Sequence, residues 1–116
     1  MSYDIHYNGL DDLPLDVPSF EDGGTYVLGG SRQAELNVTG NYSKLFSQYF
    51  HEDGIGWIDG KTGKEALPYL KHGLAILGQV PDEDYWKSTP GNAGLVLKRL
   101  VLWAELNPAG TFEIIG

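Results

Sequence analysis

The carboxyl-terminal third of the chain contains one long apolar segment with helical start and stop signals. Thr89-Pro90 is a start signal, because Thr can accept a hydrogen bond from the first turn and proline there gives up a donor that has no partner. The segment 95–106 is apolar apart from Lys98, Arg99 and Glu105, so apolar side chains cover more than half of the helix surface. Asn107-Pro108 ends the pattern. We predict a central helix over 90–106, surrounded on several sides, with Lys98 and Arg99 marking its exposed stripe.

Two further helices are predicted before it. Apolar residues recur at helical spacing after Gly40, with Asn41 or Ser43 as the cap; they are Tyr42, Leu45, Phe46, Tyr49 and Phe50. Thr62 and Glu65 have the spacing of a capping box and predict a helix that continues to about Leu77, with Gly78 as its C-cap.

Alternation of polar and apolar residues predicts strands at 3–7, 25–28, 33–39 and 111–115, with a hairpin at 29–32 between the second and the third. The segment 10–24 is predicted as a loop that packs against the body, and 55–58 as a short extended piece. An acidic turn or short helix at 81–86 would carry Tyr85 and Trp86 toward the central helix.

The order of these elements, βββαααβ, predicts an α+β fold over a single domain, 1–116. We expect a small, largely antiparallel sheet of about four strands, packed by three helices on one face.

The charge is strongly acidic. Sixteen Asp and Glu stand against eight Lys and Arg, and residues 1–31 contain six acids and no Lys or Arg. Such a surface repels phosphate backbones, which argues against direct nucleic-acid binding, and it suits a basic protein partner. Solubility alone would explain the same charge. The absence of Cys excludes disulfides, and without an export signal or a membrane-spanning apolar run we expect a cytoplasmic protein that does not enter the membrane.

No catalytic or metal-binding motif stands out. Gly60-Lys61-Thr62 invites a phosphate-loop interpretation, but Ile55 occupies the position that requires the first glycine. His51-Glu52-Asp53 lacks a second His four residues on, so a polar helix end explains it better than a metal site. We predict no cofactor, no metal and no catalytic residue. Whether the chain is an enzyme stays open, with a non-enzymatic role favoured.

The best candidates for a binding surface are polar and aromatic residues beside the predicted third strand. Glu35, Asn37 and Thr39 alternate on one of its sides, where a simple solvated sheet face is the competing interpretation. The full candidate set is Glu35, Asn37, Thr39, Asn41, Tyr42, His51, Glu52, Asp53, Tyr85 and Trp86.

Three segments of the chain carry a resemblance. They are Glu35-Leu36-Asn37-Val38-Thr39 with Asn41-Tyr42-Ser43-Lys44, then Gly60-Lys61-Thr62-Gly63, and finally Asp84-Tyr85-Trp86-Lys87-Ser88-Thr89-Pro90-Gly91-Asn92-Ala93. Together they resemble a group of small proteins of bacterial and phage genomes for which no activity is known. The resemblance covers about residues 25–113 and implies a free-standing cytoplasmic domain without implying any catalytic residue.

Three hypotheses of function follow. The first is a non-enzymatic protein-binding module of phage or mobile-element type, in its sharper form an inhibitor that occupies a basic surface. The second is a small enzyme or ligand-binding domain with a polar site around Asn37, Asn41, Tyr42 and His51. The third is a self-associating structural module, because surplus apolar helix surface can be buried in a homodimer.

Overall fold

The computed structural model of the protein describes residues 2–18, 32–84 and 86–116. In chain order the elements are β1 (Ser2–Asn8), β2 (Glu35–Thr39), α1 (Ser43–Tyr49), α2 (Gly63–Leu77), α3 (Pro90–Leu106) and β3 (Thr111–Ile115), with short 3₁₀ turns at Gly40–Tyr42 and Ile55–Ile58. The α+β class and the three helices are confirmed. The described residues form three strands instead of about four, in the order ββαααβ; the predicted strand 25–28 and hairpin 29–32 lie outside the described residues, except for Arg32.

The sheet is antiparallel throughout, and β1 lies at its centre between β2 and β3. Beyond the paired ends of β1 and β2, the segment 14–17 inserts between them. Leu15 donates its N–H to the carbonyl of Tyr7 and accepts from Ala34, at 3.0 and 2.8 Å. Val17 is buried in the core cluster, so this part of the predicted loop packs against the body as expected.

One face of the sheet forms the core together with the helices. Every second strand residue is buried in one apolar cluster, namely Ile5, Tyr7, Leu36, Val38 and Phe112. The same cluster contains Phe46 of α1, Leu70 of α2 and Leu100 of α3. Since successive strand residues point to opposite faces, the other face of the sheet points away from the helices.

The central helix α3 has the predicted bounds, and Thr89 caps it by accepting the N–H of Asn92 at 3.2 Å. Leu100 and Trp103 are buried, as the prediction of a surrounded helix requires. The exposed stripe differs from the prediction, because Lys98 and Arg99 are half-buried while Leu102 and Leu106 are 39% and 57% exposed. No helix in the described ranges is long and apolar enough to cross a bilayer.

Close packing explains the small residues at the start of α3. A Cβ on Gly91 would overlap the carbonyl of Val80, and a Cβ on Gly94 would overlap the carbonyl of Gly78. The chain leaving α2 therefore crosses α3 at backbone contact. Gly78 ends α2 with a φ of +74°, a conformation that favours glycine.

Gly63, the glycine that follows the apparent phosphate loop, also has a packing role. Thr62 and Glu65 form the predicted capping box at the start of α2. A Cβ on Gly63 would overlap the hydroxyl of Tyr7, which donates a hydrogen bond to the carbonyl of Asn107. A helix cap and close packing thus explain these residues without a phosphate.

Two further local predictions are wrong. The turn before α1 is capped by Thr39, which accepts the N–H of Asn41 at 3.3 Å, and neither Asn41 nor Ser43 caps the helix. Ile55–Ile58 is a 3₁₀ turn instead of an extended piece. Gly54, with a φ of +69°, redirects the chain, and its carbonyl then accepts the N–H of Trp57.

Candidate functional site

The face of the sheet that points away from the helices carries a continuous set of polar side chains. We call this set the outer sheet face; its members are Asp4, His6 and Asn8 of β1, Glu35 and Asn37 of β2, and Glu113 of β3. They come together because all six occupy the alternate positions to the buried residues of their strands.

His6 lies at the centre of this face. It stands directly opposite Glu35 in the pairing of β1 with β2, and directly opposite Glu113 in the pairing of β1 with β3. Its Nε2 is 3.9 Å from Glu35 Oε1, and its Nδ1 is 3.8 Å from Glu113 Oε1. Both distances exceed hydrogen-bond length, so both carboxylates keep acceptor capacity toward solvent. The three side chains are 22%, 26% and 50% exposed, which leaves them accessible to a partner.

Two asparagines flank the histidine, and each donates to a carboxylate. Asn8 Nδ2 is 3.1 Å from Glu113 Oε1, and Asn37 Nδ2 is 2.7 Å from Asp4 Oδ1. Because an ionised carboxylate only accepts, these bonds fix which end of each amide is the oxygen. The Oδ1 atoms of Asn8 and Asn37 are buried and have no hydrogen-bond partner. Buried acceptors of this kind are rare in folded proteins.

No Lys or Arg in the described ranges neutralises the outer sheet face. Among the described residues the acids that pair with a lysine lie elsewhere, in Lys71–Glu105 and Lys87–Asp82, and no Lys or Arg comes within 4.0 Å of Asp4, Glu35 or Glu113. The face therefore combines three carboxylates and two unpartnered amide oxygens with a single histidine.

Several predicted binding residues lie inside the fold. Thr39 is buried and acts as a cap, and the Tyr42 side chain is buried in the core cluster. Asn41 donates to the backbone carbonyl of Trp86 at 2.9 Å. Trp86 itself is 53% exposed, so it does not pack into the core as the prediction of an inward orientation required. Tyr85 lies outside the described residues.

His51 belongs to an aromatic cluster between α1 and α2. Its ring stacks on Trp57 with centroids 4.7 Å apart, and Trp57 lies 4.4 Å from Tyr69. Lys61 Nζ stands 5.2 Å from the centroid of the Trp57 ring. The backbone N–H of Asp53 donates to His51 Nδ1 at 3.1 Å, which occupies that nitrogen. In the ranges that the structure describes, no three His, Asp or Glu side chains are placed to hold a metal ion.

Glu52 and Asp53 line a separate open cleft of about 590 Å³. Its other lining residues include Tyr3, Ser43, Lys44 and Ser47. The Tyr3 hydroxyl is buried without a partner, and burial, followed by the charge of Tyr42, raises the pKa of Tyr3. The hydroxyl is therefore protonated at neutral pH.

The four residues of the predicted polar site occupy different surroundings. Asn37 lies on the outer sheet face, Asn41 holds the Trp86 carbonyl, Tyr42 is in the core and His51 is in the aromatic cluster. None of the four lines the cleft that contains Glu52 and Asp53.

Sequence reasoning missed Asp4, His6, Asn8 and Glu113 as members of a site. The available signal for Asp4, His6 and Glu113 was the alternation in the first and last strands, whereas Asn8 lies beyond the predicted first strand. The pairing of the first strand with the last joins residues more than 100 positions apart, such as Asn8 and Thr111, and no local pattern reveals it.

Comparison of this chain with protein-family models, with curated proteins and with solved structures gives no match in any of the three. The comparisons therefore assign neither a family nor an activity. The resemblance to bacterial and phage proteins stays a prediction, and the function has to be argued from the geometry.

Proposed function

We propose that the protein is a non-enzymatic binding module that docks on a basic surface of a protein partner. The observation that carries the proposal is the outer sheet face, where no Lys or Arg among the described residues pairs with the three carboxylates and His6 lies close to two of them. The net charge of −8 acts in the same direction.

The shape of this surface favours a protein over a small molecule. Small-molecule sites are concave and bury most of the ligand, whereas the outer sheet face is one side of a three-stranded sheet. Complementary charge on such a face steers a basic partner into contact and disfavours acidic ones. In its sharper form the module inhibits its partner by covering a basic groove, which suits an origin in a phage or mobile element.

Affinity capture tests this function. Tagged protein is incubated with lysate at low and at high salt, and the bound proteins are identified by mass spectrometry. We expect a basic protein that binds at low salt and is lost at high salt, because ions screen exposed charges. A partner whose binding is indifferent to salt would contradict the proposal.

The control for this experiment removes charge from the outer sheet face. Glu35→Gln with Glu113→Gln takes away two negative charges there, and Glu83→Gln with Glu105→Gln removes two from exposed residues on the helical side. We expect the first pair of substitutions to reduce capture more than the second.

Binding of a small ligand is the second candidate function, favoured by the cleft beside α1. This cleft combines the unpartnered Tyr3 hydroxyl with one cationic and two anionic side chains, Lys44, Glu52 and Asp53. An NMR screen with small zwitterionic compounds tests it, with Tyr3→Phe as the control. Amide shifts centred on 52–56 that disappear in Tyr3→Phe would support the ligand site, and an unperturbed cleft would exclude this class of ligand.

A further inference from the structure

We propose that the outer sheet face recognises arginine: a guanidinium group of the partner lies over His6, between Glu35 and Glu113. The inference deepens the proposed function and rests on it, because it names the chemical group on the basic partner that the face selects.

The balance of donors and acceptors on this face defines the ligand. Asn8 and Asn37 both direct their amide N–H groups to carboxylates, so the exposed and buried groups that remain are almost all acceptors. The ring nitrogens of His6 are too far from the carboxylates of Glu35 and Glu113 to donate a hydrogen bond to either. A ligand that satisfies this set must bring donors without acceptors. Among protein side chains, arginine and lysine have this property.

Asn8 shows that the acceptor surplus extends below the surface. Asn8 is only 7% exposed, and its Nδ2 donates to Glu113 Oε1 on the same face. Its Oδ1 has no donor, although a buried acceptor without one is costly. The oxygen is therefore a further acceptor that no donor among the described residues satisfies.

The spacing of the acceptors selects arginine over lysine. Glu35, His6 and Glu113 lie side by side on three strands, about 4.8 Å apart in the sheet. A guanidinium is planar, carries five N–H donors and stacks on flat rings, so it can lie against the His6 imidazole and donate paired hydrogen bonds to the carboxylate of Glu35 or Glu113. An ammonium is a compact, strongly hydrated charge that serves one carboxylate at a time. A metal ion is a poorer fit, since the described residues offer no suitable group of ligands.

A titration with two peptides of equal charge tests the selection. Capped hexa-arginine and capped hexalysine are added to ¹⁵N-labelled protein at low salt, and amide shifts are followed by NMR. We expect the largest shifts at residues 4–8, 35–37 and 113. We also expect hexa-arginine to bind about fivefold more tightly than hexalysine, a difference of roughly 1 kcal/mol.

Two pairs of charge-removing substitutions test whether the preference for arginine depends on the outer sheet face. Glu35→Gln with Glu113→Gln should weaken hexa-arginine binding about tenfold and bring the two peptides to similar affinity. Glu83→Gln with Glu105→Gln removes the same charge elsewhere and should preserve the preference for arginine. Unchanged amide shifts in the helices would show that both variants are folded.

The outcomes separate this inference from the proposed function. If both variants weaken both peptides equally, or wild-type protein binds the two peptides equally, overall charge attracts basic partners and the arginine site is refuted while the function stands. If neither peptide binds wild-type protein at low salt, the arginine site and the proposed function both fail.

Discussion

The protein buries two asparagines in opposite ways. Asn92, at the start of α3, is fully buried with both ends of its amide engaged: Oδ1 accepts from the Asp82 backbone at 2.9 Å, and Nδ2 donates to the carbonyls of Asp84 and Lys87. Asn8, on the outer sheet face, is nearly as buried but leaves Oδ1 without a donor.

The difference separates structural polar groups from groups that are free to bind. The amide of Asn92 holds the acidic turn against α3, and satisfied buried networks of this kind fix one conformation. Asn8 lies in no comparable network, and the accessible acceptors beside it are the carboxylates of Glu35 and Glu113.

The largest effect should come from breaking the backbone contact beneath the Asn92 network. Gly94→Ala places a Cβ on the Gly78 carbonyl, and neither backbone can move without separating α2 from α3. We expect a loss of about 3 kcal/mol in the free energy of unfolding, measured in urea. Gly56→Ala is the control, because a Cβ at Gly56 meets nothing within 4 Å. Equal stability of the two variants would contradict the close packing.

The two asparagines can be compared directly. Asn92→Ala leaves the Asp82 N–H without its acceptor and takes one of two donors from the carbonyls of Asp84 and Lys87, so we expect a loss of about 2 kcal/mol. Asn8→Ala removes one bond to Glu113 and also an acceptor that had no partner, so we expect a loss below about 1 kcal/mol. Urea unfolding measures both, and a larger loss for Asn8→Ala would reverse the distinction between the two regions.

Local signals in the sequence predicted the bounds of α3 and the end of α2. The bounds of α3 follow from Thr89-Pro90 and Asn107-Pro108, and the end of α2 from Gly78. These signals work because each acts on the backbone within one helical turn. The same locality explains the failure at 55–58, where a positive φ at Gly54 overrides the extended pattern.

The outer sheet face was predicted only in part. Glu35 and Asn37 were placed on a polar face from alternation within one strand, whereas His6 and Glu113 join them through pairing between the two ends of the chain. Alternation also assigned Thr39 to that surface. Thr39 is buried instead, because the chain turns immediately after it.

A smaller effect than those of Gly94→Ala and Asn92→Ala should come from a network that is satisfied like that of Asn92 but exposed. In the capping box of α2, Thr62 Oγ1 accepts the N–H of Glu65 at 3.2 Å, and Glu65 Oε1 accepts the N–H of Thr62 at 3.1 Å. We expect Thr62→Ala to lower stability by about 1 kcal/mol, because water replaces the lost partners. Thr62→Ser keeps the hydroxyl and should retain most of that stability; an equal loss would show that the methyl group, not the cap, is responsible.

The pKa of Glu65 provides a second test of the capping box. Hydrogen bonds from the Thr62 backbone and then from its side chain lower the pKa of Glu65. A carboxyl whose pKa is lower in the folded than in the unfolded state stabilises the fold above its unfolded pKa, and this contribution is lost as the pH falls through its folded pKa. Thr62→Ala removes the side-chain bond but keeps the backbone bond, so the pKa of Glu65 should rise part of the way toward its ordinary value. Carboxyl-detected NMR titration measures the change, and an unshifted Glu65 in Thr62→Ala would assign the whole effect to the backbone.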